Sequence, residues 1–253
     1  MRLLILFLLL SGCAQSKPAP TAESFCSERS FEGSQFTVCD NKDGKLALFA
    51  AGKDEAPIRS FSALMTKVDA GQVAFAMNAG MFDEQGRPIG GTIVKGNDVK
   101  ALNLRDGPGN FHLKPNGVFT VETAGITAVH VSDGVTGKAP TLMTQSGPML
   151  VIDGKLHPKL QADGQSRLIR NGVGVRDGAA LFVISESAVS LGKFARFFRD
   201  ELKTPNALYF DGSVSSLWDP ANGRQDSHSE LGPIIVAFKP EASTPGRGGR
   251  ARP

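Results

Sequence analysis

Between Gln35 and Phe238 the chain is a succession of short apolar runs broken by turns built on Gly, Asn and Asp. Only two stretches carry apolar residues three and four apart. Runs this short suit strands better than helices. Gln35–Val38 and Leu46–Ala50 predict a first hairpin across Asn41–Gly44, and Val73–Met77 predicts a buried strand. Thr92–Val94 with Val99–Leu104, and Phe111–Leu113 with Val118–Val121, predict two more hairpins. Ile126–Val131, Leu142–Ile152, Leu168–Val175, Ala179–Ser185, Ala207–Phe210 and Pro233–Phe238 complete the strands. Helical spacing appears at Ile58–Val68 and Leu191–Leu202. Helices do not alternate with strands through the middle of the chain, which argues against a doubly wound fold. The expectation is α+β: a single domain over residues 25–239 with a large mixed β-sheet and few helices.

The two ends read differently. Met1-Arg2 opens the chain with a positive charge, and Leu3–Leu10 is an apolar run far shorter than a membrane-spanning helix requires. Leu10-Ser11-Gly12-Cys13 resembles the lipobox of bacterial lipoproteins. That resemblance implies a signal peptide over 1–12, lipidation of Cys13, a tether over 13–24, and an exported, periplasmic protein held to a membrane by its lipid. A plain secretory signal is the alternative. Cys26 and Cys39 remain in a compartment where disulfides persist, and are expected to pair across the first hairpin. Residues 240–253, rich in Pro, Gly and Arg, read as a disordered basic tail. The tail holds three arginines of a chain whose net charge is +3, so the body is near neutral. A dedicated nucleic-acid binder would show a clustered basic face, and nucleic acid is therefore not expected as a partner.

Chemistry concentrates where apolar strands run into small and polar residues. Four segments share this pattern: Asn78-Ala79-Gly80, Ser146-Gly147-Pro148, Arg170-Asn171-Gly172 and Asp211-Gly212-Ser213, the last followed by Ser215-Ser216. A glycine beside a polar side chain lets backbone lie close to a ligand. Four such strand ends in one domain suggest convergence on one site. The residues also suit plain turns, and Asn78 an Asx cap. Neither a phosphate-binding glycine loop nor a Gly-x-Ser-x-Gly elbow is present. The four histidines show no metal-ligand spacing.

Taken in order, Met-Asn-Ala-Gly-Met-Phe (77–82), Ser-Gly-Pro-Met-Leu (146–150), Arg-Asn-Gly-Val-Gly-Val (170–175) and Leu-Tyr-Phe-Asp-Gly-Ser-Val-Ser-Ser (208–216) resemble the motifs of the phosphodiester glycosidase family. That family includes the lysosomal uncovering enzyme, and this chain is similar to its bacterial exported branch from about Phe36 to Phe238. Gly109–Phe119 adds to the likeness with that branch. The resemblance implies hydrolysis of the sugar-side C–O bond of a glycosyl-1-phosphodiester, with envelope or exopolysaccharide material as substrate. Such a site must hold an anion and stabilise an oxocarbenium-like centre.

On this reading Arg170 binds phosphate, unless it forms an ordinary ion pair. Asp211 is the essential carboxylate, as nucleophile, base or sugar ligand. Glu186 is either the second carboxylate or a solvated turn residue. Asn78, Asn171, Ser146, Ser213, Ser215 and Ser216 supply hydrogen bonds, and Gly80, Gly147 and Gly212 supply amides or room. No cofactor is required, and a divalent cation on Asp211 is compatible with the sequence. Two positions depart from the family pattern: Ser213 stands where a second glycine is usual, and Met81 where a phenylalanine is. The alternative is a non-catalytic lipoprotein that holds an anionic glycan in the same pocket.

Overall fold

A computed structural model describes residues 24–40, 44–135 and 140–241. Strands are numbered β1 to β17 along the chain. The first sheet runs β1 (Cys26–Phe31), β2 (Ser34–Asp40), β13 (Ala179–Ser185), β12 (Asn171–Arg176), β14 (Asn206–Tyr209), β10 (Met149–Ile152), β11 (Lys155–Leu156). The second runs β16 (Arg224–Gln225), β15 (Leu217–Asp219), β4 (Val73–Asn78), β17 (Ile234–Phe238), β3 (Leu46–Phe49). The third runs β6 (Asn97–Lys100), β5 (Thr92–Val94), β9 (Leu142–Ser146), β7 (Gly117–Val121), β8 (Thr127–Val131).

The α+β class with few helices holds. The strands form three sheets rather than one, and every strand pairing among the described residues is antiparallel rather than mixed. One apolar run explains part of the division. Leu142–Ile152 reads as a single strand, but the backbone breaks at Gly147-Pro148, sending β9 into the third sheet and β10 into the first. Pro148 has no N–H to extend a ladder. Likewise the predicted first hairpin does not form: β2 joins the first sheet and β3 pairs with β17 in the second.

The three sheets meet over one core. Phe182 from the first sheet packs on Phe75 from the second at 5.4 Å and on Phe119 from the third at 5.6 Å between ring centroids. All three are fully buried. Edge-to-face and tilted contacts of this kind add about 0.5–1.5 kcal/mol each beyond area burial.

Helix α1 is a single turn, Phe61–Leu64, capped by Ser60 Oγ, which accepts from Ala63 N. The longer predicted helix is shortened to one turn flanked by bends. Helix α2 (Leu191–Arg196) is capped by Ser190 and widens into a π-helical turn over Phe197–Glu201. It seats Phe194, Ala195, Phe197 and Phe198 on the first sheet, as its apolar stripe predicts. No helix among the described residues is long and apolar enough to cross a membrane. Cys26 and Cys39 are disulfide-bonded, facing each other across β1 and β2. The bridge staples β1 to β2, not the hairpin expected from the sequence, because the polar strand β1 carries no apolar period. Cys13 and nearly all of the predicted tether and tail lie outside the described residues.

Candidate functional site

The ends of β4, β12 and β14 and the start of β15 meet at one knot of amides. Asn78 ends β4 and is 1% exposed. Its Nδ2 donates to Asp211 O at 2.8 Å, and its Oδ1 accepts from Ser216 N at 2.8 Å and Asn171 Nδ2 at 2.9 Å. Asn171, the first residue of β12, also donates from Nδ2 to Asn78 O. Ser215 Oγ lies 3.1 Å from Asn171 Oδ1 and 3.0 Å from Ile169 O. Asp211 N donates to Ala79 O at 3.1 Å. Three of the four motif segments are thus joined by direct hydrogen bonds. Each buried amide atom here has a partner, which such sites require.

Asp211 stands at the edge of this knot. Its Oδ1 accepts from Ser213 N at 3.1 Å, closing an Asx-type turn, and Ser213 itself is exposed. No basic side chain pairs with the carboxylate among the described residues. Burial pushes its carboxyl above the ordinary aspartate value, against the weaker pull of the Ser213 N–H and hydroxyl. A desolvated carboxylate without a counter-ion is a feature typical of functional sites.

Arg170 is placed differently from its expected role. The side chain is fully buried. Nε donates to Val189 O at 2.8 Å, Nη1 to Tyr209 Oη at 2.8 Å, and Nη2 to Ser166 O at 2.8 Å and Ser166 Oγ at 3.3 Å. The guanidinium carbon lies 5.3 Å from the Tyr209 ring centroid. Four of its five N–H groups therefore have protein acceptors, and no open fork faces a phosphate. Arg170 clamps Tyr209 instead.

Tyr209 is the residue sequence reasoning missed. Its hydroxyl faces Arg170 and the Gly212 amide, and burial raises its phenol above the ordinary value, so it stays protonated at neutral pH. The signal was available: on an extended strand Tyr209 and Asp211 share a face, two residues apart. A Cβ at Gly212 would stand 1.7 Å from Tyr209 Oη, so this glycine provides room for the phenol.

Glu186 is likewise committed. Its Oε1 accepts from Thr37 Oγ1 at 2.5 Å and from Arg224 Nη1 at 2.7 Å. Arg224 also grips Asp226 through Nε and Nη2 at 3.1 and 3.0 Å, and Asp226 Oδ2 accepts from Leu217 N. Glu186 thus ties the first sheet to the second through an exposed ion pair, where the sequence admits either a second carboxylate or a solvated turn residue. Sequence spacing does not point to Arg224 or Asp226.

The remaining candidates are structural neighbours of the knot. Gly80 backs onto β9: a Cβ there would meet Gln145 O at 2.5 Å and Thr144 Oγ1 at 2.6 Å. Gly147 lies against Asn116 and the Phe111 carbonyl. Ser146 Oγ is buried with no hydrogen-bond partner among the described residues. Ser216 Oγ donates to Val214 O at 2.8 Å and supports the turn. Among the described residues no group of three His, Cys, Asp or Glu converges as a metal site would. The divalent cation left open by the sequence has no ready-made cluster there.

A family model described as phosphodiester glycosidase matches residues 71–230, a span that holds every residue of the knot. The chain belongs to the phosphodiester glycosidase family. This phosphodiester glycosidase homologue is similar to the uncharacterised protein YigE of Escherichia coli K12, with 38% identity over 149 residues. The match covers 58% of this chain and 59% of that relative. Among solved structures it shares the fold of the zebrafish N-acetylglucosamine-1-phosphodiester alpha-N-acetylglucosaminidase catalytic domain, auto-inhibited by its pro-peptide. The TM-score is 0.58 at 16% identity, over 88% of this chain and 85% of that one. A protein from Burkholderia pseudomallei K96243 described as exported gives a TM-score of 0.53 at 11% identity, covering 81% and 73% of the two chains. At these identities the two likenesses are of fold.

Proposed function

We propose that this protein hydrolyses the sugar-side bond of a glycosyl-1-phosphodiester, with Asp211 as the carboxylate at the reacting carbon. The carrying observation is Asp211 itself: desolvated, unpaired with any described cation, and anchored by the amide knot. The anomeric C–O bond breaks with its electron pair passing to the phosphate oxygen, which leaves as a phosphomonoester. Water supplies the hydroxyl to the sugar and gives up a proton. A phosphate leaving group needs little protonation, so the demand on the protein is to stabilise positive charge at the sugar ring. A carboxylate in a low-dielectric setting does this strongly. Asn78, Asn171 and Ser215 hold the backbone that aims it, while Ser213 and Gly212 border the sugar. Arg170 acts through Tyr209 rather than on phosphate. Family membership, the apolar N-terminal run and Cys13 support an exported, lipid-anchored protein acting on envelope or exopolysaccharide material.

Binding without cleavage is the second reading, favoured by the internal partners of Arg170 and Glu186. Incubation with a panel of sugar-1-phosphodiesters, reading free reducing sugar, separates the two. Release that disappears in Asp211→Asn supports hydrolysis. Tight binding with no release from any substrate overturns it.

A further inference from the structure

Beside the third sheet lies a half-open cavity of about 310 Å³ lined by Leu104, Lys114, Pro115, Asn116, Val131 and Asp133. This is the lower end of small-molecule sites, about 300–1,000 Å³, and has room for a ring of monosaccharide size. Its walls pair three apolar side chains with three polar ones. Asn116 is only 2% exposed. Its Nδ2 is held by Phe111 O at 3.0 Å, so the amide presents its oxygen, which takes no hydrogen bond from any described residue. On a side chain otherwise packed away, an amide oxygen that no described donor occupies is held in place and free to accept from a ligand. Asp133 adds a second acceptor: it is exposed and makes no hydrogen bond or ion pair among the described residues. Lys114 is the third polar group, its Nζ donating to Asp106 Oδ1 at 2.9 Å and to Leu104 O.

We infer that this cavity is a second sugar-binding pocket, which takes a hydroxyl-bearing ring through Asn116 and Asp133 with its C–H face on Leu104, Pro115 and Val131. The chemistry selects this class. A wholly apolar ligand would strand the two acceptors, and a simple anion would meet the Asp133 carboxylate. Acceptors opposite an apolar wall match the donors and C–H face of a sugar ring.

The pocket connects to the site through the backbone. Pro115 O accepts from Met149 N at 3.0 Å, and Pro148 O accepts from Tyr209 N at 3.1 Å. The Asn116 side chain packs against Gly147 on the other side. Two strand-like steps of about 4.8 Å each separate the cavity wall from Tyr209, a span suited to a substrate of more than one sugar. Binding here does not depend on hydrolysis at Asp211.

The test is titration of the isotopically labelled protein with methyl glycosides of glucose and N-acetylglucosamine, reading amide and Asn116 side-chain shifts by NMR. Saturable shifts at Asn116, Ser132 and Asp133 are expected, with affinity weakened about tenfold in Asp133→Ala. Because Asp133 is exposed and unpaired, this variant keeps the fold. Shifts confined to Asp211–Ser216, no saturable shift with either sugar, unchanged affinity in Asp133→Ala, or the same shifts from inorganic phosphate alone would each overturn the assignment. Sugar shifts at the pocket together with no cleavage of any phosphodiester would sink the hydrolase reading and leave the pocket standing.

Discussion

Gly212→Ala places a methyl group where the structure has none to spare. The added Cβ would lie 1.7 Å from Tyr209 Oη and 2.5 Å from Cζ, far inside van der Waals contact. The phenol cannot retreat freely, because Arg170 Nη1 holds its hydroxyl at 2.8 Å and the ring is 1% exposed. Either the Asp211–Ser213 turn moves or the Arg170–Tyr209 bond breaks. Overpacking costs about 1–3 kcal/mol, and losing a hydrogen bond to a charged group about 1.5–3 kcal/mol. Whichever gives way, the expected loss is about 1–3 kcal/mol, a sizeable part of the roughly 5–15 kcal/mol that holds a domain folded. The assay is urea unfolding of wild type, Gly212→Ala, Tyr209→Phe and the double variant. Removing the hydroxyl relieves the shortest contact, so the second change should cost at least about 1 kcal/mol less in the presence of the first than alone. A Gly212→Ala loss below about 0.5 kcal/mol, or strict additivity around the cycle, would refute the clamp.

The same frame yields three further expectations. The folded-state value of Asp211 lies above its unfolded value, so its protonated form contributes stability that is complete below about pH 3.9 and is lost as pH rises through the folded value. Asp211→Asn should therefore melt higher than wild type near neutral pH and equal to it at about pH 3, while losing any hydrolysis; a variant that melts lower at both values would contradict the assignment. Asn78→Ala strips Ser216 N of its acceptor and takes one bond each from Asn171 Nδ2 and Asp211 O, which keep Asn78 O and Val214 N; it should lower unfolding free energy by about 2–4 kcal/mol while speeding Ser216 amide exchange. Replacing Cys26 and Cys39 together with Ser opens a loop of 13 residues' separation and should cost about 3 kcal/mol in denaturant titrations.

What could be read beforehand, and what could not, follows from where each interaction keeps its information. Asn78, Asn171, Asp211 and Ser215 were legible because both partners of each bond sit in strand-end motifs. Strand runs such as Val73–Met77 were legible because burial on both faces writes a continuous apolar stretch. Strand β1 was not, because Cys26–Phe31 is mostly exposed and paired on one edge, with its middle residues polar. The division into three sheets was hidden for a different reason: Leu142–Ile152 is apolar on both sides of Gly147-Pro148, so composition does not mark the change of sheet.

Arg170 shows the sharpest limit. Its residue type suits phosphate, but its destination is set by backbone carbonyls at Ser166 and Val189, which carry no side-chain signature. Only Tyr209 among its partners could have been inferred, from the period of two that links it to Asp211. The family likeness identified a set of polar residues without assigning their directions. The structure buries Arg170, ties the exposed Glu186 to Thr37 and Arg224, and leaves Asp211 without a counter-ion among the described residues. Asp211, without a counter-ion among the described residues, is the group best placed to act on a substrate, because a charge already satisfied by the protein must first give up those bonds.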